Sequence, residues 1–549
     1  TISSRRSGAS VRSSELRPSA AQSSRRASVA ASSPETPASA SAATAKAWSL
    51  KNALVGDPPS GKIAPSQRIA LVEPWDGAVS LLHYRFDGTG FVPTSSRVAF
   101  RWRPRINGGW AANERIDAEF TPASGGKALP SSHGDEYAFF PNPTVSGLQV
   151  GERYTLRAFM SQKSATTWVE EGRGSAASGP TSKSIEIGIA HDLRLDSSTT
   201  YSTALPAAAA LANAYASKSL TPRITFLQSG EVRLSSDLVF LTGLDLYVAA
   251  GATVTITGAA GQKLRVNGGL TKSGPGTLIL DAAVDVPVSP TQGTPAPTRL
   301  LSVLGGQLQL NRGLGSSSSA SWDLTARRDF VAGTAGAAQP NVVVTLASSQ
   351  HLTTLTIGAS ASVQMVARSD NGNTLITGDK LLRVKALNID SPSGASLDLK
   401  NQMLIVDYQG TSTPAAAIRD LIIKHLTQPA NVGNIGLFST ITSRDAAVSL
   451  GSIDNANYQY SAVSADNRLL SGGSGAEALT AQSVIVKLTY LGDLDLSGTI
   501  DGDDLAAALA AKNMHLTGWE NGDFNYDGIV DDKDLNLLLL GWPRQTRRL

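Results

Sequence analysis

Cysteine is absent from all 549 residues, so neither a disulfide framework nor a thiolate metal site is open to this chain. The same absence leaves the redox compartment undetermined. Aromatic residues make up 6% and charged residues 17%, whereas glycine (51) and proline (26) are plentiful. That balance suits many short strands joined by turns and is poor material for helical bundles. No apolar run approaches the roughly 18 residues that a membrane-crossing helix needs. With a net charge of +3 the chain as a whole is not a polyelectrolyte. No export signal is visible and the first residue is Thr1, as expected if such a signal has been removed or left out.

Catalytic signatures are missing as well. There is no P-loop, no GxGxxG between a strand and a helix, no HExxH and no GxSxG. Glycoside hydrolysis needs two placed carboxylates, yet no glutamate lies between Glu231 and Glu477, and the aspartates from Asp245 to Asp407 stand singly. His83, His133 and His191 have no metal-ligand spacing; His351 sits beside a threonine-rich strand, and His425 ends a helical run, where a cation suits the last carbonyls. The expectation is a protein without catalytic activity. The alternative is a glycan-degrading enzyme whose site is assembled from distant turns of a β-helix.

What is present is a twelve-residue pattern that occurs twice near the end of the chain. One copy runs from Asp493 to Asp504 and the other from Asp523 to Asp534. Oxygen-bearing side chains fall at positions 1, 3, 5, 9 and 12: Asp493, Asp495, Ser497, Asp501 and Asp504, then Asp523, Asn525, Asp527, Asp531 and Asp534. Calcium is a hard cation that takes six to eight oxygens at about 2.3–2.6 Å, so a chain that binds it wraps round a point with alternate side chains turned inward. Gly498 and Gly528 at position 6 permit the sharp turn, after which the carbonyls of Thr499 and Ile529 become the position-7 ligands. Two bound Ca²⁺ ions are expected. A helix-favouring run follows each loop, the second ending at Gly541 with Pro543 beyond it, whereas Ser483–Tyr490 before the first loop alternates like a strand. The position-12 residue is Asp in both copies, where an EF-hand has Glu.

Over residues 490–542 these features resemble a dockerin type I module: two calcium loops, an Asp at each position 12, leucine-rich exit helices and no entering helix. The resemblance implies a small helical module that binds a cohesin-like domain, often in extracellular assemblies that degrade polysaccharide. Family contacts centre on loop positions 10 and 11, here Gly502 and Asp503, then Asp532 and Lys533, in place of the Ser-Thr pair of the best-known members.

Residues 1–65 open with serine, alanine, arginine and proline and few large apolar side chains, so they are expected to be a disordered basic arm. No aromatic is interleaved for base stacking, which favours a solvated tail over a nucleic-acid arm. Residues 66–195 hold short alternating runs such as Arg68–Val72, Val79–Phe86 and Tyr154–Phe159, spaced as in a β-sandwich. The approach to Tyr154 resembles strand F of a fibronectin type III or immunoglobulin-like domain. From 196 to 488, after an alanine-rich helix at 207–216, strand–turn–strand phrases recur that bury an apolar face only when stacked, the logic of a β-solenoid of the right-handed β-helix kind. Their irregular period leaves a sandwich or several small sheets as the alternative. Within them Gly268–Leu280 reads Gly-Gly-Leu-Thr-Lys-Ser-Gly-Pro-Gly-Thr-Leu-Ile-Leu and resembles the autotransporter-associated β-strand repeat, with Gly305-Gly306-Gln307-Leu308 as its sequel.

The fold expected is therefore mainly β and multidomain: sandwich, solenoid, a calcium-binding helical module at 489–543 and a tail at 544–549. The order of modules resembles large secreted proteins of planctomycete-like bacteria. It implies an extracellular or cell-surface location, a cohesin-like partner, extracellular polysaccharide as a further possible partner, no nucleic acid and no membrane span.

Overall fold

The structure is a computed structural model that describes residues 69–72, 81–93, 101–104, 114–122, 129–132, 153–164, 167–170, 182–188, 190–218, 221–258, 261–285, 299–315, 322–327, 342–368, 378–429, 433–471, 475–514 and 516–546. Expectations for the basic arm and for His133 lie outside these residues, as does the Tyr154 side chain. The fold is mainly β, with large parallel sheets and five α-helices among the described residues.

Among the described residues, those from Arg223 to Phe438 wind. Arg223–Phe226 enters a 13-stranded sheet, Gly230–Leu234 an 8-stranded sheet and Leu238–Phe240 a 3-stranded sheet; Leu244–Val248, Thr253–Gly258 and Lys263–Val266 then repeat the circuit one layer on. Each strand pairs in parallel with its counterpart in the next turn. The reason lies in the two-residue period: Thr277–Leu280, Val342–Leu346 and Ala361–Met365 alternate half-buried and buried side chains, so one face of every strand seeks the interior. In the 8-stranded sheet Val254, Leu278, Leu308, Val344, Val363, Leu397 and Leu437 stand in register as one buried column. A one-residue slip would turn the whole column to solvent.

The Gly-Gly-Leu phrase forms Leu270–Ser273, a tight turn and Thr277–Leu280. Lys272 is fully buried, and its Nζ donates to the carbonyls of Gly274 (2.7 Å), Gly276 (2.6 Å) and, one turn of the winding later, Gly305 (2.8 Å). The lysine is thus a latch joining two successive turns. Burial pushes its pKa down to about 7, with Asp245 pulling the other way. Glycine is needed beside it because a Cβ on Gly276 would lie 2.2 Å from the Ala249 carbonyl and 2.7 Å from that of Ala252. Gly276→Ala should therefore cost about 1–3 kcal/mol by forcing the layers apart. Equilibrium urea unfolding checks this, and an unchanged midpoint would show that the layers yield freely.

Before the winding, Glu114–Pro122, Leu129–Ser132, Arg153–Ser164, Thr167–Glu170 and Ser182–Gly188 form an antiparallel sheet, and Ile69–Val72 pairs with Arg101–Pro104. Two strands within the 66–195 boundary expected for the sandwich, one of them placed there by its alternation, behave differently. Leu81–Phe86 and Ala190–Leu195 pair in parallel with each other and join the 13-stranded sheet through Arg223–Phe226. Alternation marks a strand but not the sheet it joins.

The ends of the winding are covered. Helix α1 (Tyr201–Ala214) begins six residues before the alanine-rich stretch and carries Pro206 inside it. Its Ser202 Oγ accepts from Arg233 N, and Asn213 bonds Val239 O and Leu241 N, so edge groups of two sheets are satisfied by helix side chains. Helix α2 (Ala415–Thr427) packs on Gly436–Phe438, the last strand of the 8-stranded sheet. There His425 stacks on Phe438 with ring centroids 4.5 Å apart, and burial pushes its pKa down. It lies in the last turn of the helix, as its place in the sequence implies, and Gln428 Nε2 bonds its Nδ1 at 3.1 Å. At the far end of the long sheet, Ser483–Tyr490 runs antiparallel to Met403–Asp407, and Val448–Asp454 is the outermost strand.

Candidate metal centre

Ser483–Tyr490 leads directly into the first acidic loop, so the long sheet positions the site. The two loops have the same backbone. Positive φ occurs just before each loop at Gly492 (111°) and Gly522 (99°), at position 4 at Leu496 (60°) and Tyr526 (61°), and at position 6 at Gly498 (92°) and Gly528 (86°). Leucine and tyrosine take up the left-handed region only at a cost of about 1–2 kcal/mol, so the repetition is imposed by the loop.

Their hydrogen bonds correspond pair by pair. The position-1 carboxylate accepts from the position-6 amide, Gly498 N to Asp493 at 2.9 Å and Gly528 N to Asp523 at 3.1 Å. The position-12 carboxylate accepts from positions 2 and 9: Leu494 N and Asp501 N to Asp504, both 2.9 Å, and Phe524 N (2.9 Å) and Asp531 N (3.0 Å) to Asp534. Position 3 accepts from position 5, Ser497 N to Asp495 at 2.9 Å and Asp527 N to Asn525 at 2.7 Å. Position 9 accepts from position 11, Asp503 N to Asp501 and Lys533 N to Asp531. Each bond fixes one carboxylate or amide oxygen toward the backbone and leaves the rest of the set to converge.

Convergence is clear in the first loop, where carboxylate oxygens of Asp493, Asp495 and Asp504 lie within 4.8 Å of one another. This buried acidic triad is suited to a metal ion. In the second loop Asn525 replaces the middle carboxylate, and Oδ1 of the buried Asp523 has no hydrogen-bond partner. An orphaned carboxylate oxygen is costly in a protein interior unless a cation satisfies it. Of the remaining sequence candidates, Ser497 Oγ donates to the Thr499 carbonyl at 3.1 Å, and Ile529 N donates to Asp527 at 3.1 Å. Lys533 Nζ sits at the rim of the second loop, 3.2 Å from Asp527 and 3.3 Å from Asp531.

Helix α3 (Asn455–Tyr458) precedes the site, and helices α4 (Gly502–Met514) and α5 (Asp532–Thr546) leave the loops. The second exit helix does not stop at Gly541. It continues through Pro543, and Gly541 is buried against the Leu491 carbonyl, where a Cβ would lie 2.1 Å away. Its glycine serves close packing rather than termination, and part of the expected tail at 544–549 is helical.

Several residues that hold the loops lie outside the two twelve-residue patterns, and of these only Trp519, in the linking Gly518–Asp523 stretch, belongs to the resemblance read from the sequence. Tyr458 and Tyr460 hydroxyls donate to the carbonyls of Leu494 (3.4 Å) and Asp495 (2.9 Å), and buried Lys487 Nζ donates to that of Leu496 (3.1 Å). Thr489 Oγ1 donates to the Asp493 carboxylate, and Trp519 Nε1 to the Asp493 carbonyl at 2.8 Å. Only the alternation of Ser483–Tyr490 hinted that Lys487 and Thr489 face inward together.

Away from the loops, His351 Nε2 lies 2.8 Å from Glu477, and Arg383 holds Asp407 bidentately at 2.6 and 3.1 Å while reaching Glu477 at 3.5 Å. Both carboxylates are thus engaged by one guanidinium, which ties Glu477 and Ala478 to the long sheet. No protein-family model matches the chain, and neither a curated protein nor a solved structure matches it significantly.

Burial pushes the Asp504 carboxyl up to about 6, with Asp495 and Asp501 adding to the rise. Burial also pushes Asp493 up, opposed by Lys487. Protons therefore compete with a cation for the first loop, and metal affinity should fall about tenfold per pH unit for each carboxyl titrated below pH 6. For the metal-free protein the sign is opposite. A carboxyl raised above its unfolded value near 4 contributes stability that is complete below pH 4 and lost as pH rises through 6. The metal-free chain should therefore melt at a higher temperature at pH 5 than at pH 7.5, and a lower melting point at pH 5 would contradict the assignment.

Proposed function

We propose that this is a secreted or cell-surface modular protein without catalytic activity, in which a β-sandwich and a β-solenoid of the β-helix kind carry a dockerin-like module. The module binds two Ca²⁺ ions and attaches the chain to a cohesin-like domain. The observation that carries this reading is the pair-by-pair identity of the two loops, combined with the unpartnered Asp523 Oδ1. An all-oxygen set of carboxylates, an amide, a hydroxyl and main-chain carbonyls suits a hard cation with flexible coordination, which favours calcium over the softer transition metals. Asp493, Asp495, Ser497, Asp501 and Asp504 with the Thr499 carbonyl would hold one ion. Asp523, Asn525, Asp527, Asp531 and Asp534 with the Ile529 carbonyl would hold the other.

A partner has a surface to meet. Gly502, Asp503, Asp532 and Lys533 at loop positions 10 and 11 are exposed, and so are Leu509 of α4 and Leu539 and Leu540 of α5. The test uses the full chain stripped of divalent ions. Calorimetric titration should give two Ca²⁺ per chain, and the loaded chain should capture a cohesin-like domain from the secretome of the source organism. Capture that survives EDTA unchanged would remove the attachment reading.

A further inference from the structure

The outermost strand of the long sheet, Val448–Asp454, has a second role for the loops attached to it. We propose that the paired-loop module is a metal-operated cap of the wound β body, closing the Val448–Asp454 edge when both loops are loaded and releasing it when they empty. This inference rests on the calcium reading above and goes beyond attachment to a partner.

An unpaired edge strand presents a row of N–H and C=O groups that templates pairing with another chain. At the other end of the winding, α1 blunts two such edges with Ser202 and Asn213. At this end the loops do it, beside helix α2, which also packs on Val448–Asp454. Leu496 and Tyr526, the two position-4 residues, both reach the same strand. The Tyr526 hydroxyl donates to the Leu450 carbonyl at 2.8 Å. A Cβ placed on Gly451 would lie 2.5 Å from Leu496 Cδ2 and 2.7 Å from the Trp519 ring, so glycine there lets the module seat directly on the strand. Leu496, Trp519 and Tyr526 are all buried as a result.

The β body grips the first loop in return. Tyr458, Tyr460 and Lys487 bond the three successive carbonyls of Leu494, Asp495 and Leu496. The docking surface is therefore the loop backbone itself, and position 4 points at the strand only while its φ is positive. A cation holding the carboxylates of positions 1, 3 and 12 keeps that conformation, whereas without it their mutual repulsion opens the loop and the strained residue relaxes. Metal occupancy is thereby coupled to protection of an edge that contains no metal ligand.

Amide hydrogen exchange on the full chain, with excess Ca²⁺ or with EDTA, reads the coupling. Chelation should speed exchange across Val448–Asp454 at least tenfold and leave Leu270–Leu280 unchanged. Gly451→Val should still bind two Ca²⁺ by calorimetry but exchange fast at 448–454 whether or not Ca²⁺ is present. The milder Tyr526→Phe, which keeps the packing and loses only the hydroxyl, should raise exchange there several-fold with Ca²⁺ bound. Two bound Ca²⁺ with 448–454 equally protected after chelation would overturn the cap while leaving the metal reading intact. A titration with no Ca²⁺ uptake would overturn the metal reading, and the cap with it.

Discussion

Chelation of calcium from the full chain is expected to lower the unfolding free energy of the C-terminal module by about 8 kcal/mol, when free Ca²⁺ had stood a thousandfold above both dissociation constants. Each site then contributes about 4 kcal/mol through mass action, since the unfolded chain has no preformed site. The size of the effect is set by the ratio of free Ca²⁺ to the dissociation constants and adds to what the contacts with the β body supply. The module's interior is Leu494, Ile500, Ala508, Trp519, Phe524, Val530 and Leu538, while Asp493, Asp504, Asp523 and Asp534 are buried beside them with raised pKa values, burial being the first cause in each. Buried like charges without a counter-ion work against that small core. Thermal melting followed by helical circular dichroism at neutral pH, with Ca²⁺ and with EDTA, measures the difference. Superimposable curves would mean that the loops fold without metal.

Lys272→Met should destabilise the winding by about 3 kcal/mol. Methionine fills a similar volume, so the loss isolates the ammonium from the packing. The three carbonyls of Gly274, Gly276 and Gly305 lie in tight turns, Gly276 buried and the other two half-buried. Leaving buried acceptors unmet costs about 1–3 kcal/mol for each that finds no substitute, and Gly276 O retains the Gln307 amide. Arginine should not rescue, because its planar fork cannot point three donors at one apex. Urea midpoints of the two variants check both statements, and a Met variant within 1 kcal/mol of the parent would show that the latch is dispensable.

Much of this was legible in the sequence. The two acidic loops are patterns of twelve residues whose candidate ligands, glycine and following helix all fall within one short window, and the structure gives them matching positive-φ positions. Alternating strands, the glycine-rich turns at 274–276 and 305–306, and helix α2 were equally local. A two-residue period or a loop that closes on itself needs no knowledge of what lies across from it.

The tertiary structure alone decided which residues meet. Lys272 and Gly305 are 33 positions apart, Leu450 and Tyr526 are 76, and His351 and Glu477 are 126, and nothing in either partner announces the other. The same holds for Gly541, which looked like a helix stop and is a packing glycine under Leu491. The physical reason is that hydrogen-bond periodicity is set by neighbours along the chain, whereas buried polar groups and close-packed glycines are set by whatever the stacking of layers brings opposite them. So the acidic loops were legible in the sequence as candidate metal ligands, but their seat on the last strand of the long sheet arose only when the winding placed Gly451 beneath Trp519.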